Sequence, residues 1–197
     1  MTDRKTLAVY AAQRDAYVAM MEREAPNDVC LAPFLEAVAE GGRVLDLGCG
    51  PGHFAARMAK AGMRVEAWDA VPEMVEHAAR LPGVSARVAR FDDLVARDRY
   101  DGVWAYFSLL HAPRAAFPGH VAAIGRALRR GGVALLGLKR GEGGGRDRLG
   151  RYYEYYERPE IDAALEAAGL SPARHWTGVA PGLAGHPDGW IAVMAHA

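Results

Sequence analysis

The chain has few cysteines, few lysines and no long apolar run. Of its 197 residues only two are cysteine, Cys30 and Cys49, and they do not form a CxxC pair. A disulfide-stabilised secreted fold is therefore disfavoured, and a reducing cytosol is expected. No stretch approaches the roughly 18 apolar residues of a membrane span, and the first residues lack the apolar core of a signal peptide. These absences predict a cytoplasmic protein that does not enter a membrane.

The chain also lacks an excess of charge of either sign. It has 24 basic and 24 acidic residues, so the formal net charge is zero. This balance argues against a protein that binds nucleic acid or an anionic membrane electrostatically. The seven histidines form no HxxxH or His/Cys cluster, and the pair Asp92-Asp93 is too little for Mg²⁺, so we predict no metal site.

One arrangement recurs five times: a segment with helical periodicity ends near a glycine, and a short strand-like run follows. The helical halves carry an apolar stripe, as at Phe54, Met58 and Ala61. Short apolar strands that alternate with helices predict a mostly parallel sheet with helices on both faces, which is a doubly wound, Rossmann-like α/β fold. The five units are EAVAEGG-RVLDLG, MAKAG-MRVEAWD, ARLPG-VSARVA, ALRRGG-VALLGLK and LEAAG-LSPARHW.

A glycine loop follows the first strand and opens a helix at about His53. Its sequence is Gly48-Cys49-Gly50-Pro51-Gly52, and in such sheets this turn holds a nucleotide-containing ligand close to the backbone. A dinucleotide site needs GxGxxG, but here the position of the third glycine is His53. Asp46, two residues before the first glycine, suits a ligand with an ammonium group and would repel a pyrophosphate. S-adenosylmethionine has that ammonium and no phosphate.

The second strand ends in an acid, Asp69, which follows the loop at the spacing of a ribose-binding carboxylate. Asp69 is therefore expected to accept hydrogen bonds from the ribose hydroxyls. A purely structural alternative stays open, in which Gly50-Pro51-Gly52 is only a tight turn and Asp69 only caps a helix.

Four segments resemble the class I S-adenosylmethionine-dependent methyltransferases, and in particular small stand-alone bacterial members of the TehB type. They are VLDLGCGPG, FDDLVARDRYDGVWAYFSLLHAPR, ALRRGGVALLGLKRG and GRDRLGRYYEYY. The resemblance implies S-adenosylmethionine as cofactor and S-adenosylhomocysteine as product. It also implies a seven-stranded sheet whose last strand is antiparallel, with PARHWTGVA and GWIAVMAHA as the final pair.

The resemblance also implies which residues contact the cofactor. Members of the family commonly have a Gly-Asp pair before the adenine site, whereas this chain has Arg90-Phe91-Asp92-Asp93. The acid that reads the adenine is thus open between Asp92 and Asp93, and Asp92 is favoured. Apart from the resemblance, Tyr17 lies seven residues after Tyr10 on one helical face, so it is expected either to close over the cofactor or to pack against the core. The expected cofactor contacts are Asp46, Gly48, Cys49, Gly50, Gly52, Asp69, Ala70, Phe91, Asp92, Tyr106, Phe107 and Tyr17.

Two features are candidates for the acceptor side. His111 follows the fourth strand and is the best candidate for a general base; alternatively it orders its loop. Residues 141–150 are expected to be a long flexible loop, and the arginines and tyrosines around its end would form a lid over an anionic or aromatic acceptor. The alternative is a solvated loop whose tyrosines pack on the fold. The expected acceptor contacts are Arg146, Arg148, Arg151, Tyr152 and Tyr153.

The sequence predicts one methyltransferase domain over residues 1–197. Residues 1–40 would form a helical cap over the cofactor site, with helices over 3–25 and 28–40, and residues 41–197 would form the Rossmann-like core. The predicted activity is in-line methyl transfer to a small-molecule acceptor. Alternatives are a NAD(P)-dependent oxidoreductase, a protein methyltransferase and a non-catalytic cofactor binder.

Overall fold

The computed structural model describes residues 3–197, which form one twisted sheet with helices on both faces. The strands are β1 Arg43–Leu47, β2 Arg64–Asp69, β3 Val84–Val88, β4 Tyr100–Tyr106, β5 Leu128–Arg140, β6 Gly144–Arg146, β7 Tyr152–Tyr156, β8 Ser171–Pro181 and β9 Pro187–His196. The helices are α1 Arg4–Ala12, α2 Arg14–Glu24, α3 Leu31–Ala37, α4 His53–Lys60, α5 Pro72–Ala78, α6 Phe117–Ala127 and α7 Arg158–Ala167. No helix within residues 3–197 is both long and apolar enough to span a bilayer.

Seven strands form the main sheet in the order β3-β2-β1-β4-β5-β9-β8. β1 to β5 are parallel to one another, whereas β9 runs antiparallel to both β5 and β8. The predicted seven-stranded, mostly parallel sheet with a reversed last strand is confirmed. Because β1 lies between β2 and β4, the chain reverses direction across the sheet at β1, and such a switch point opens a crevice at the carboxyl ends of the strands.

Two apolar clusters cover the two faces of this sheet. On one face the helices α6 and α7 bury side chains such as Ile124 and Leu165. On the other face Phe34 of α3 and Met58 of α4 pack around Trp104 of β4. The parallel strands are buried on both sides, which explains why they read as continuous apolar runs in the sequence.

The N-terminal segment differs from the two helices expected there. Gln13 has φ −104° and ψ 17°, outside the helical region, so the first helix is divided into α1 and α2. The third helix, α3, packs Phe34 against Trp104 with ring centroids 5.2 Å apart. It is therefore part of the core, and only α1 and α2 lie over the carboxyl ends of the strands.

Residues 141–150 are not the long loop that the sequence predicted. Part of this stretch is the strand β6, which pairs antiparallel with β7 in a hairpin, and β7 in turn pairs in parallel with Lys139 and Arg140 at the end of β5. The Asp147 carboxylate closes the turn by accepting from the backbone N–H groups of Leu149 and Arg151, both at 3.0 Å. A glycine-rich strand has no apolar alternation to mark it, so only its pairing with β7 identifies it.

Candidate functional site

The glycine loop is held against the end of β2 by its own backbone. The N–H groups of Gly48 and Cys49 both donate to the Trp68 carbonyl, at 2.7 and 2.9 Å. Gly48 has φ +80°, and a Cβ there would lie 2.2 Å from Ser108 Cβ. Gly52 has φ +85°, and its Cβ would lie 2.7 Å from Ala78 Cβ on α5. The absence of a side chain at Gly48 therefore lets the loop approach Ser108, which follows β4. At Gly52 it lets the loop pack against α5.

Asp69 joins the end of β2 to this loop. Its Oδ2 accepts from the Gly50 N–H and its Oδ1 accepts from the Val71 N–H, each at 2.8 Å. The structure thus brings together the loop and the acid that the sequence paired. Burial raises the pKa of Asp69, and its three backbone donors oppose that effect.

Asp46 lies at the inner end of the same crevice and is only 2% exposed. No group among residues 3–197 hydrogen-bonds its Oδ2 atom. Burial, with Asp69 as a second cause, raises the pKa of Asp46 to about 8. A buried carboxyl oxygen without a partner is costly, and a cationic group would relieve that cost. This observation fits the ammonium of S-adenosylmethionine.

Two cavities meet at this crevice. The first, of about 60 Å³, brings together seven of the predicted cofactor contacts. The second, of about 380 Å³, includes Asp46, Cys49 and Tyr106 in its wall. Four residues line both cavities: Tyr10, which was not among the predicted contacts, and three residues that were. The seven residues in the first cavity are Tyr17, Gly48, Gly50, Asp69, Ala70, Phe91 and Phe107.

Two predicted cofactor contacts lie outside both cavities. Gly52 faces α5, as described above. The Asp92 side chain is 63% exposed and lies 3.9 Å from Nδ1 of His120. Asp93 accepts from the Arg90 N–H at 2.7 Å and so caps a short 3₁₀ turn. Neither acid of this pair lines the cavity at Phe91, so an adenine contact by Asp92 stays a prediction.

His111 is buried, and both of its ring nitrogens are engaged. Nδ1 lies 2.6 Å from the Tyr152 carbonyl, which can only accept, so Nδ1 carries the proton. Nε2 lies 3.0 Å from the Tyr10 hydroxyl and accepts from it. Burial lowers the pKa of His111 to about 4. Nε2, the nitrogen that a general base would use, is thus already hydrogen-bonded. This geometry fits the alternative in which His111 orders its loop.

The three arginines of the expected lid are paired within the protein. Arg146 pairs with Asp3 at 2.9 Å, and Arg148 donates to the Ala184 carbonyl. Arg151, only 3% exposed, pairs with Asp147 at 2.6 Å and donates to the Tyr10 hydroxyl at 3.0 Å. The contacts of Arg146 with Asp3 and of Arg151 with Tyr10 fasten the β6–β7 hairpin to α1. Of the five predicted acceptor contacts, only Arg151 and Tyr153 line the second cavity.

The sequence reasoning missed a charged pair in the second cavity. Lys139, at the end of β5, forms an ion pair with Asp188 of β9, and Trp190 lines the same wall. The signal that could have found Lys139 is its place at the carboxyl end of a parallel strand, where such sheets bind ligands. Within residues 3–197 no three His, Cys, Asp or Glu side chains are grouped as a metal site would need.

Comparison with known proteins supports the interpretation of this crevice as a cofactor site. Residues 44–132 match the methyltransferase domain family. A ubiquinone biosynthesis O-methyltransferase of Xanthomonas oryzae pv. oryzae is 36% identical over 104 residues, which cover 49% of this chain and 42% of that protein. An S-adenosyl-L-methionine-dependent Diels-Alderase of Talaromyces variabilis is 34% identical over 117 residues, or 53% of this chain and 39% of that protein.

A solved structure is similar over nearly the whole chain. It is the Burkholderia thailandensis 1,6-didemethyltoxoflavin-N1-methyltransferase with bound 1,6-didemethyltoxoflavin and S-adenosylhomocysteine. The TM-score is 0.67 at 25% identity, and the match covers 95% of this chain and 88% of that one.

The sheet order, the glycine loop joined to Asp69 and these matches define a class I S-adenosylmethionine-dependent methyltransferase domain, as the first motif predicted. S-adenosylmethionine is the cofactor of this class, so the NAD(P)-dependent alternative is not supported. This chain spans 42% and 39% of the length of the two curated relatives, less than half of each.

Proposed function

We propose that this protein transfers a methyl group from S-adenosylmethionine to a small-molecule acceptor held in the second cavity. The observation that carries the proposal is this cavity itself. Its volume of about 380 Å³ is in the range of small-ligand sites, and aromatic side chains form much of its wall. It shares Tyr17, Gly48 and Phe107 with the first cavity, so an acceptor there would lie beside the cofactor.

In this proposal the glycine loop and the ends of the strands each bind a different part of the cofactor. Asp69 accepts from the ribose hydroxyls, and Asp46 offers its unpartnered oxygen to the ammonium. Gly48 and Gly50 leave room for the backbone to approach. Phe91 and Ala70 pack on the adenine. S-adenosylmethionine supplies a methyl group on a good leaving group, so the protein mainly orients the acceptor and excludes water.

The cap formed by α1 and α2 contributes part of the wall of the cofactor site. The first cavity, of about 60 Å³, is narrow, and Tyr10 and Tyr17 of the cap line it. The cap is fastened by the Asp3–Arg146 pair and by the Tyr152 N–H, which donates to Thr6 Oγ1 at 2.8 Å. We infer that opening these contacts admits the cofactor and that closing them excludes water.

The experiment that tests the proposal is thermal unfolding with S-adenosylmethionine, S-adenosylhomocysteine and NADH in separate samples. A ligand at a hundred times its Kd stabilises the folded chain by about 2.7 kcal/mol, which for this size raises the Tm by roughly 5–10 °C. We expect that rise with both adenosyl compounds and none with NADH. An acceptor screen then follows the release of S-adenosylhomocysteine. A rise with NADH alone would contradict the proposal.

A second candidate function is a cycloaddition in the same cavity, and the similarity to the Diels-Alderase favours it. The mass of the product separates the two reactions. Methyl transfer adds one methyl group and releases S-adenosylhomocysteine, whereas an intramolecular cycloaddition leaves the mass of its substrate unchanged. A protein acceptor is less favoured, because the cavity is lined by the cap and the sheet and suits a compound that it can enclose.

Asp46 predicts how stability of the ligand-free protein depends on pH. Its folded pKa of about 8 is above the unfolded value of 3.8, so the folded state holds one more proton between them. Stability therefore falls as the pH rises through this window, by at most about 1.4 kcal/mol per pH unit. The lowered pKa of His111 acts in the opposite sense, but only between about 4 and 6.5.

We expect Asp46→Asn to flatten this decline between about pH 6.5 and pH 8 and to stabilise the ligand-free protein at pH 8. Urea unfolding at a series of pH values measures it. Saturating S-adenosylhomocysteine should flatten the wild-type curve in the same window, because its ammonium keeps Asp46 ionised. An equal slope in Asp46→Asn and the wild type would show that Asp46 does not titrate there.

A further inference from the structure

Lys139 brings a positive charge into the second cavity. It pairs in register with Trp190 of β9 and with Tyr155 of β7, so two neighbouring strands hold its backbone. Its side chain is 13% exposed and lines the cavity. This ammonium is therefore held in place by the sheet, in contrast to a lysine on a mobile loop.

The contacts of Lys139 leave part of its donor capacity free. An ammonium has three N–H donors. Asp188 accepts one of them in the ion pair, and within residues 3–197 no other acceptor hydrogen-bonds this nitrogen. Nζ also lies 3.8 Å from the centroid of the Tyr153 ring, over its face. The remaining donor capacity can meet an acceptor atom of a ligand in the cavity.

The walls around this ammonium are flat and largely apolar. Tyr106 and Phe107 pack with ring centroids 4.4 Å apart, and Phe107 meets Trp190 edge to face at 6.4 Å. Met20 and Met21 of the cap line the same cavity, and methionine side chains adapt to flat ligands. Such walls favour a planar ring compound with one polar group directed at Lys139.

The state of His111 adds a chemical constraint. Its Nε2 is occupied by the Tyr10 hydroxyl, so a hydroxyl acceptor would gain little from it as a base. An oxygen that is already ionised when it meets the cofactor needs no base. A fixed ammonium beside the oxygen favours that ionised form.

We propose that Lys139 binds the oxyanion of a planar acceptor of the phenol or enol class, and that Asp188 holds the ammonium in position. The proposal rests on the proposed function and deepens it. The acceptor loses its proton to water as it binds; its oxygen then forms the new O–C bond, the methyl C–S bond breaks, and the sulfur keeps that electron pair.

The test uses 4-nitrophenol, whose ionised form absorbs in the visible, with the full chain saturated by S-adenosylhomocysteine. We expect the pKa of the bound probe to be lowered by about 1. Lys139→Met should weaken binding by about 10- to 100-fold and abolish the lowering of the probe's pKa. Asp188→Asn keeps a side-chain oxygen that can accept from Lys139 but removes the competing negative charge, so it should bind the anion more tightly. Lys60→Met, at an exposed lysine, is the matched control and should leave the probe unaffected.

The outcomes separate this inference from the proposed function. If S-adenosylhomocysteine binds but Lys139→Met leaves the affinity and the pKa of the probe unchanged, the oxyanion site is refuted and the proposed function stands. Equal binding of 4-nitroanisole, which has no ionisable oxygen, refutes it too. If S-adenosylhomocysteine does not bind at all, the proposed function fails first. Should Lys139→Met unfold the chain, K139M/D188N removes both charges and repeats the comparison.

Discussion

With the cofactor contacts proposed above, Asp69→Ala is expected to weaken the binding of S-adenosylhomocysteine by at least about 100-fold, because the two proposed hydrogen bonds from the ribose hydroxyls to its carboxylate are lost, each contributing about 1.5–3 kcal/mol. The same substitution removes the acceptor for the Gly50 and Val71 N–H groups, at 2.8 Å in both cases, so the glycine loop also loses its tie to β2. At a ligand concentration that raises the wild-type Tm by roughly 5–10 °C, the variant should shift by about 1 °C.

Isothermal titration and thermal unfolding both measure this effect, and Asp15→Ala is the matched control. Asp15 is an exposed acid on α2 whose side chain, within residues 3–197, pairs only with the neighbouring Arg14. Asp69→Asn refines the test, because the amide keeps one acceptor oxygen and the size of the side chain. Binding in Asp69→Ala as tight as in the wild type would remove Asp69 from the ribose site.

Gly48→Ala is expected to destabilise the protein by about 3–5 kcal/mol, which lowers the Tm by roughly 10 °C or more. Two costs add at this position. The backbone has φ +80°, which an alanine adopts only under strain, and the new Cβ would lie 2.2 Å from Ser108 Cβ. Ser108 cannot give way easily, since it is buried and its hydroxyl donates to the Leu47 carbonyl at 2.6 Å.

Gly62→Ala separates the two costs. Gly62 has φ +91°, but a Cβ there meets no atom of the described residues within 4 Å. It should therefore show only the backbone strain, about 1 kcal/mol. The double variant Gly48→Ala/Ser108→Gly removes the Cβ that clashes and should regain part of the loss. If urea unfolding gave equal losses of stability for Gly48→Ala and Gly62→Ala, the close approach to Ser108 would not contribute to the destabilisation.

The parts of the site that could be predicted are those set by local chain geometry. The loop at 48–52 follows a strand directly, and its glycines mark positive φ values whatever surrounds them. Asp69 ends the next strand, and in a parallel sheet neighbouring strands place their carboxyl ends at one edge. The contact between Asp69 and Gly50 therefore follows from a motif of 24 residues, 46–69, without knowledge of the rest of the fold.

The acceptor side could not be predicted in this way, because its state depends on partners far away in sequence. His111 looks available as a base until Tyr10, 101 residues away, occupies its Nε2. Arg146 looks free for an anion until Asp3, 143 residues away, pairs with it. In both cases the sequence pointed to the residue because of the chemistry of its side chain. In the folded chain the same side chain contacts the cap and helps to fasten it to the hairpin.

By itself the sequence determined the fold class, the alternation of helices and strands in the Rossmann-like core, the glycine loop and its acid, since periodicity and backbone conformation are local properties of the chain. Only the tertiary structure decided that residues 144–146 form a strand, that Asp46 is buried without a partner on one oxygen, and that Lys139 meets Asp188, 49 residues further on, inside a cavity. Burial and pairing of charges arise when distant segments pack together, and no local pattern records them.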